Sequence, residues 1–321
     1  MPARSAISIL LASLLLAEVM PAAQAPPSGP PRAGSSSPAD KAARKDPPLD
    51  APSDAEIRAL GQRLVVNQHR NDDALDQYER MERYIDRTSA AKSRTIEDKT
   101  YRVVPTGGGM LKILVKNGTK PVDPGEYRRQ VQLWASILEM MSRPGDSRGR
   151  TAAEKYAKRK RERAQFVDAA GQAFVTNWVG RETRNGLTCD VFELHPDPNF
   201  HPRSMFQDAL AHVTAKVWLD RDTSQIVRGE AHVMSDISFG AGILGKLYRG
   251  SVVSMEQAEV APGIWLPTRY DYDFAGRKFV FPFDQHQTIE ASHYRRVGPP
   301  SEALAVARNE LASGKSFSED P

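Results

Sequence analysis

Beyond residue 171 the chain becomes a succession of short segments in which apolar and polar side chains alternate, each closed by a turn signal. A period of two is the pattern of a strand that shows one face to a core and the other to water. Segments 172–182 and 187–194 flank Asn185-Gly186, a pair that tolerates the positive φ of a tight hairpin turn. Further strands are expected at 211–219, 225–235, 247–259, 264–273, 277–283 and 288–296. Asp220-Arg221-Asp222, Pro262-Gly263 and Ala275-Gly276 supply turns between them. A meander this long buries its apolar face only if another layer is laid against it.

The first half of the chain supplies that layer. Ser53-Asp54-Ala55-Glu56 has capping-box spacing and Ile57, Leu60 and Leu64 follow on one face, so a helix opens here and ends near Asn71. Residues 77–88 fit a helix through Tyr78, Met81 and Ile85, or an exposed strand through Met81, Arg83 and Ile85 alternating with Glu82 and Tyr84; the strand is the reading taken. Segments 99–104 and 110–116 form a hairpin around Pro105-Thr106-Gly107-Gly108-Gly109. Two helices, 124–141 and 151–170, are split by Arg143-Pro144-Gly145-Asp146. The fold class expected is α+β: a curved antiparallel β half-barrel with helices packed on its concave face. Val213, Ala215, Val217 and Leu219 should point into an enclosed cavity.

The ends of the chain have a different composition. Arg4, the apolar run from Ile7 to Ala17 and Ala23-Gln24-Ala25 follow the order of a secretory signal peptide over residues 1–25, which implies export to the periplasm. Residues 26–53, crowded with Pro, Ser and charge, read as a disordered tether. The folded domain is expected over 54–298, with a helical insertion at about 124–170. Residues 299–321, with only Leu304, Val306 and Leu311 at helical spacing, read as a frayed helix or flexible tail. Cys189 is the sole cysteine, so no disulfide framework is available and the core must supply the stability.

Certain strand and turn sequences resemble a known family. They are Val217-Trp218-Leu219-Asp220, Gln225-Ile226-Val227-Arg228-Gly229, Gly263-Ile264-Trp265-Leu266-Pro267-Thr268, and Gly276-Arg277-Lys278-Phe279, with Asn117-Gly118-Thr119-Lys120-Pro121 closing an early hairpin. Over roughly 60–298 the chain resembles the outer-membrane lipoprotein-carrier superfamily, the periplasmic localisation-factor fold, and in particular uncharacterised exported bacterial proteins of that fold. The resemblance implies an open half-barrel, helices as a lid and a hydrophobic interior suited to acyl chains.

On that basis Trp218, Trp265, Phe279, Phe281 and Phe283 are the candidate ligand-binding residues, since aromatic rings give large apolar contact; an ordinary sheet core needs the same residues. Lys158, Arg159, Lys160, Arg161 and Arg163 form the densest basic run, which suits an anionic membrane surface or an acidic partner, or simply a solvated helix. His195, Asp197 and His201 cluster in sequence. His212 and His232 become cross-strand neighbours if the turn spans 221–223, with Glu230 facing Thr214; no metal-ligand motif accompanies them, and no metal is assigned. Cys189 lacks an acid-base partner signature, and Ser251 lacks the second glycine of a nucleophile elbow. No phosphate loop or dinucleotide fingerprint occurs, so neither a cofactor nor an enzymatic activity is assigned. Export removes nucleic acid as a partner. The function expected is non-catalytic binding of a lipid, acyl chain or lipoprotein; the alternative is a periplasmic sensor or scaffold acting through protein contacts.

Overall fold

In the computed structural model, residues 51–88, 94–239 and 245–313 are described. The expected signal peptide and most of the expected tether lie outside them. Helix α1 (Asp54–Leu75) starts at Ser53, whose hydroxyl accepts the Glu56 amide while the Glu56 carboxylate accepts the Ser53 amide at 2.7 Å. Strands β1 (Tyr78–Arg87), β2 (Thr95–Pro105), β3 (Met110–Asn117) and β4 (Lys120–Pro121) follow, then helices α2 (Pro124–Ser142) and α3 (Ser147–Ala170). Next come β5 (Phe174–Arg184), β6 (Leu187–Pro196), the short α4 (Met205–Asp208), β7 (Val213–Asp220), β8 (Ile226–Val233), β9 (Ile237–Phe239) and β10 (Gly245–Leu247). The chain ends in β11 (Val252–Ala261), β12 (Ile264–Lys278), β13 (Phe281–Arg296) and α5 (Pro300–Ser313).

The strands make one open antiparallel sheet in the order β4-β3-β2-β1-β13-β12-β11-β8-β7-β6-β5, with β10 beside β12 and β9 beside β10. This is the α+β half-barrel architecture. One face carries the main core: Phe192, Leu194, Val217, Met255, Tyr272 and Ile289 meet Leu60 and Leu64 of α1 and Phe166 and Val167 of α3. Tyr84 of β1 belongs to this face, whereas Met81, of opposite parity, packs on the other with Val104, Ile113 and Val115. Helices α2 and α5 cover that second face of β1 to β3, through Tyr127, Val131, Trp134, Leu138, Ala303, Leu304 and Ala307. The cover on the main core is therefore supplied by α1 and α3, and a second helical layer sits on the reverse side at one end.

Across β8, β11, β12, β13 and β1 the reverse side also carries a row of charge. Arg228, Glu256, Arg269, Glu290 and Arg83 stand opposite one another on five successive strands. Arg228 reaches Glu256 at 2.6 Å, Arg269 reaches Glu290 at 3.2 Å, and Arg83 reaches Glu290 at 3.8 Å and Asp98 at 2.6 Å. The hydrogen bond from Arg83 holds the Asp98 carboxyl below the usual carboxylate range. Each such half-exposed pair adds little stability, but a row of opposite signs favours one register over its slipped alternatives.

Several sequence expectations are corrected. Ala275-Gly276 is not a turn: β12 runs on to Lys278, and the chain reverses at Phe279-Val280, with Phe279 at φ +54°. Gly276 is needed inside the strand because β10 lies alongside, where a Cβ would collide with the Lys246 carbonyl and stand 2.8 Å from the Phe283 ring. The expected strand 247–259 is broken by a turn around Gly250, at φ +89°. The β7–β8 register pairs Thr214 with His232 and Lys216 with Glu230, so His212 and His232 are not opposite one another. Much of the expected tail, finally, is the packed helix α5. Its buried stripe consists largely of alanines, which fit close to α2 but leave little trace in a count of large apolar residues.

A buried polar knot fastens α5. Arg102 donates to Glu79 at 2.7 Å, to Glu310 of α5 at 2.7 Å and to the Tyr127 hydroxyl at 2.8 Å, and its guanidinium lies over Trp134. Arg102→Ala leaves Glu310 without its cation and Glu79 with Arg295 as the one remaining, so urea unfolding should show a loss of about 3 kcal/mol. Glu310→Gln, which keeps a hydrogen-bonding group, should lose about 1–2 kcal/mol. An Arg102→Ala midpoint equal to that of the parent would refute the packing of α5.

Candidate functional site

Along β12 Tyr270, Tyr272 and Phe274 face the main core, with Tyr270 stacked on Tyr272 at 6.0 Å between centroids and Tyr272 meeting Phe274 edge-on at 5.5 Å. This follows from Tyr270-Asp271-Tyr272-Asp273-Phe274, a strict alternation that buries rings on one face and sends carboxylates to the charged face. Burial raises the Tyr270 phenol above its ordinary range, so it stays a neutral wall. Past Phe274 the row continues on β13, where Phe283 pairs with Gly276 and Phe281 pairs with Lys278. Lys278 also pairs with Gly245, and Gly245 with Phe239, whose ring lies 6.3 Å from that of Phe206.

From Tyr272 outward, burial falls steadily along this row. Tyr272 is buried and Phe274 half-buried, while Phe283 is 38% and Phe281 67% exposed. At the hairpin turn, Phe279 is 49% and Val280 78% exposed. The turn is held by Arg277, whose Nη1 donates to the Phe279 carbonyl at 2.6 Å. An aromatic ramp thus leads from the core to the open end of the sheet, and large exposed rings in one patch are a binding signature rather than ordinary surface. Sequence reasoning missed Phe206, Phe239 and Phe274. The alternation through Phe274 was legible, but the turn assigned to 275–276 cut it off from Phe281 and Phe283.

The five aromatic candidates do not form one site. Phe281 and Phe283 share the ramp, and Phe279 is in the turn rather than on their strand face. Trp218 and Trp265 belong to a small separate cluster with Cys189, Val191 and Val227. The Trp218 indole donates to Glu182 at 2.7 Å, which lowers that carboxyl's pKa, and its ring is overlaid by Arg184, Lys216 and Arg228. Val213, Ala215, Val217 and Leu219 do face the main core, but they are packed within it rather than lining an open space. A cleft of about 460 Å³ opens beside α1 and is ringed by Arg63, Arg181, Arg221, Glu56 and Asp190 over Ile57, Leu60 and Phe192.

The basic run of α3 is largely engaged inside the fold. Lys160 bonds to Asp73 at 2.9 Å and Asp76 at 2.6 Å, Arg163 pairs with Asp72 at 3.5 Å, and Arg159 donates to the Gly108 carbonyl at 3.3 Å. These contacts clasp the acidic end of α1. Lys158 and Arg161 remain exposed, the former beside Glu162 at 3.8 Å.

The histidines have separate partners. His195 stands 3.9 Å from Glu193, His212 contacts Ser235 at 2.7 Å, and His232 contacts Glu230 at 2.8 Å, while Asp197 accepts from Asn199. Among the described residues no group of three or more His, Cys, Asp or Glu is placed to hold a metal. Ser251 is buried, and its hydroxyl accepts the Ala275 amide at 3.2 Å. Burial pushes the Cys189 thiol up to about 11, away from nucleophilic use. No helix among the described residues is long and apolar enough to cross a membrane.

No protein-family model matches the chain, and no curated protein matches its sequence. Solved structures do. A putative outer membrane lipoprotein-sorting protein domain from Vibrio parahaemolyticus is similar at 12% identity, over 78% of this chain and 98% of that one, with a TM-score of 0.30. A LolA-superfamily protein from Nitrosomonas europaea is similar at 11% identity, over 74% and 96%, with a TM-score of 0.31. A DUF1329 family protein from Desulfovibrio piger is similar at 13% identity, over 73% and 90%, with a TM-score of 0.26.

The placement of Cys189 can be checked directly. At pH 8 its labelling by a thiol-disulfide reagent should run on the order of a hundredfold slower than that of an exposed cysteine and become fast only in denaturant. Rapid labelling of the native chain would refute its burial beneath the Trp218 cluster.

Proposed function

We propose that the protein is an exported, non-catalytic protein of the bacterial periplasm that binds a lipid, an acyl chain or the acyl anchor of a lipoprotein. The observation that carries this reading is the aromatic ramp from Tyr272 and Phe274 to Phe283 and Phe281, a graded apolar track that begins in the core and ends in solvent. Because the interior is filled, the cargo lies along the ramp rather than inside a deep cavity. Each methylene laid there contributes about 0.8 kcal/mol when fully covered, so ten of them provide roughly 8 kcal/mol before the cost of ordering the chain is deducted. The Ala23-Gln24-Ala25 cleavage pattern supports the location.

The filled interior also favours a second reading, in which the same surface engages a protein partner and the molecule acts as a sensor or scaffold. Native mass spectrometry of protein purified from its own periplasm, with lipid extraction of the same sample, separates the two. Near-unit copurifying lipid is expected. Phe281→Ser combined with Phe283→Ser should weaken binding of a fluorescent fatty-acid probe by about tenfold or more, with the melting temperature held, since both rings are substantially exposed. A lipid-free protein carrying a stoichiometric protein partner would overturn the lipid reading in favour of the second.

A further inference from the structure

We infer that the turn between β12 and β13 is a membrane-docking tip, whose apolar side chains enter the interface of an anionic lipid surface. The inference rests on the proposed function only in placing lipid at this end of the sheet. It uses Phe279 and Val280 of the turn, which the ramp does not need, and Lys278 beside it.

Three observations converge. The tip is convex: Phe279, Val280 and Phe281 are 49%, 78% and 67% exposed on consecutive residues around a reversal, so they form a point rather than a groove. A fluid interface accepts such a point without a matching partner surface. The strands beneath it are the longest in the sheet, 15 and 16 residues, and near the tip the β12 backbone is paired on both sides, through Lys278 to Gly245 and to Phe281. Entry into a poorly hydrated layer therefore leaves the β12 backbone hydrogen bonded there.

The third observation is charge. From Gly276 to Phe283 the sequence carries Arg277 and Lys278 and no carboxylate, and Lys246 of β10 stands opposite Arg277. Of these, Lys246 is already paired with Asp236 at 2.8 Å, and the neighbouring Asp284 lies 3.1 Å from His286, so the exposed Lys278 is the cation offered beside the rings. Exposed rings beside Lys278 complement an anionic headgroup layer, the rings for the acyl boundary and the ammonium for the phosphates. The α3 basic run does not offer this arrangement, since Lys160 and Arg163 are held by acids of α1.

Co-sedimentation of the mature chain with vesicles of phosphatidylcholine alone, or of phosphatidylcholine mixed with phosphatidylglycerol, tests the inference. Binding to the mixed vesicles, weakened by salt, is expected. Lys278→Glu should weaken it by about fivefold or more, and Val280→Asp by about tenfold or more. Both variants should keep the parent melting temperature, and Val280→Asp should also keep the affinity for the fatty-acid probe in solution, because Val280 lies in the turn, off the ramp. Failure of the parent to bind mixed vesicles, or parent-like binding by Val280→Asp, overturns the inference. So does self-association through the tip in lipid-free analytical ultracentrifugation without vesicle binding. Probe binding lost with vesicle binding retained would count against the proposed cargo function while supporting the tip.

Discussion

The fold depends on the pairing of β1 with β13, which joins residue 78 to residue 296 and residue 87 to residue 286. Without it the molecule is two separate sheets, β1 to β4 and β5 to β13, each with an unsatisfied edge. The entropy of closing so large a loop grows only logarithmically with its length, so the pairing is thermodynamically accessible, although contacts this remote in sequence make for slow folding. Its register is supported on both faces. Tyr84 opposite Ile289 places apolar groups on the main core, and Arg83 opposite Glu290 places opposite charges on the reverse side.

From that junction the two faces acquire different work. The main face is filled by side chains from six or more strands and sealed by α1 and α3, which are held together by the contacts of Lys160 and Arg163 with Asp72, Asp73 and Asp76. The reverse face is divided among the α2–α5 layer, the charge row and the Trp218 cluster. A face built of alternating arginine and glutamate favours water, whereas Phe279, Val280, Phe281 and Phe283 gather exposed apolar surface at the end of β12 and β13. Function is sought there because the rest of the sheet has a partner, either a helix or solvent.

The site was only partly legible in the sequence. Phe281 and Phe283 stand two residues apart, and a period of two identifies them as one face of a strand. Phe279, read as the third member, is displaced by the reversal that places it in the turn. Trp218 looked equivalent to them because rings of similar apolarity score alike in a sequence, yet strand parity puts it on the opposite face from Val217 and Leu219, under three cations. The basic run of α3 looked like a surface contact because the acids that pair with it lie some 80 residues earlier on α1, and no local pattern links the two.

The sequence by itself determined the antiparallel character of the chain, the capped start of α1, the split between α2 and α3, and the alternation that buries one side of most strands. These are local properties, set by period, capping and turn chemistry within a few residues. Tertiary structure alone decided that the C-terminal segment is a packed helix, that Gly276 continues a strand instead of ending one, that the inward valines meet a filled core, and that rings from β9, β12, β13 and α4 converge at one end. Each of these outcomes depends on which distant segment arrives as a neighbour: Arg102 for α5, Lys246 of β10 for Gly276, and the paired strands for the ramp. The free energy of such contacts belongs to pairs of residues, so neither member's local sequence contains it.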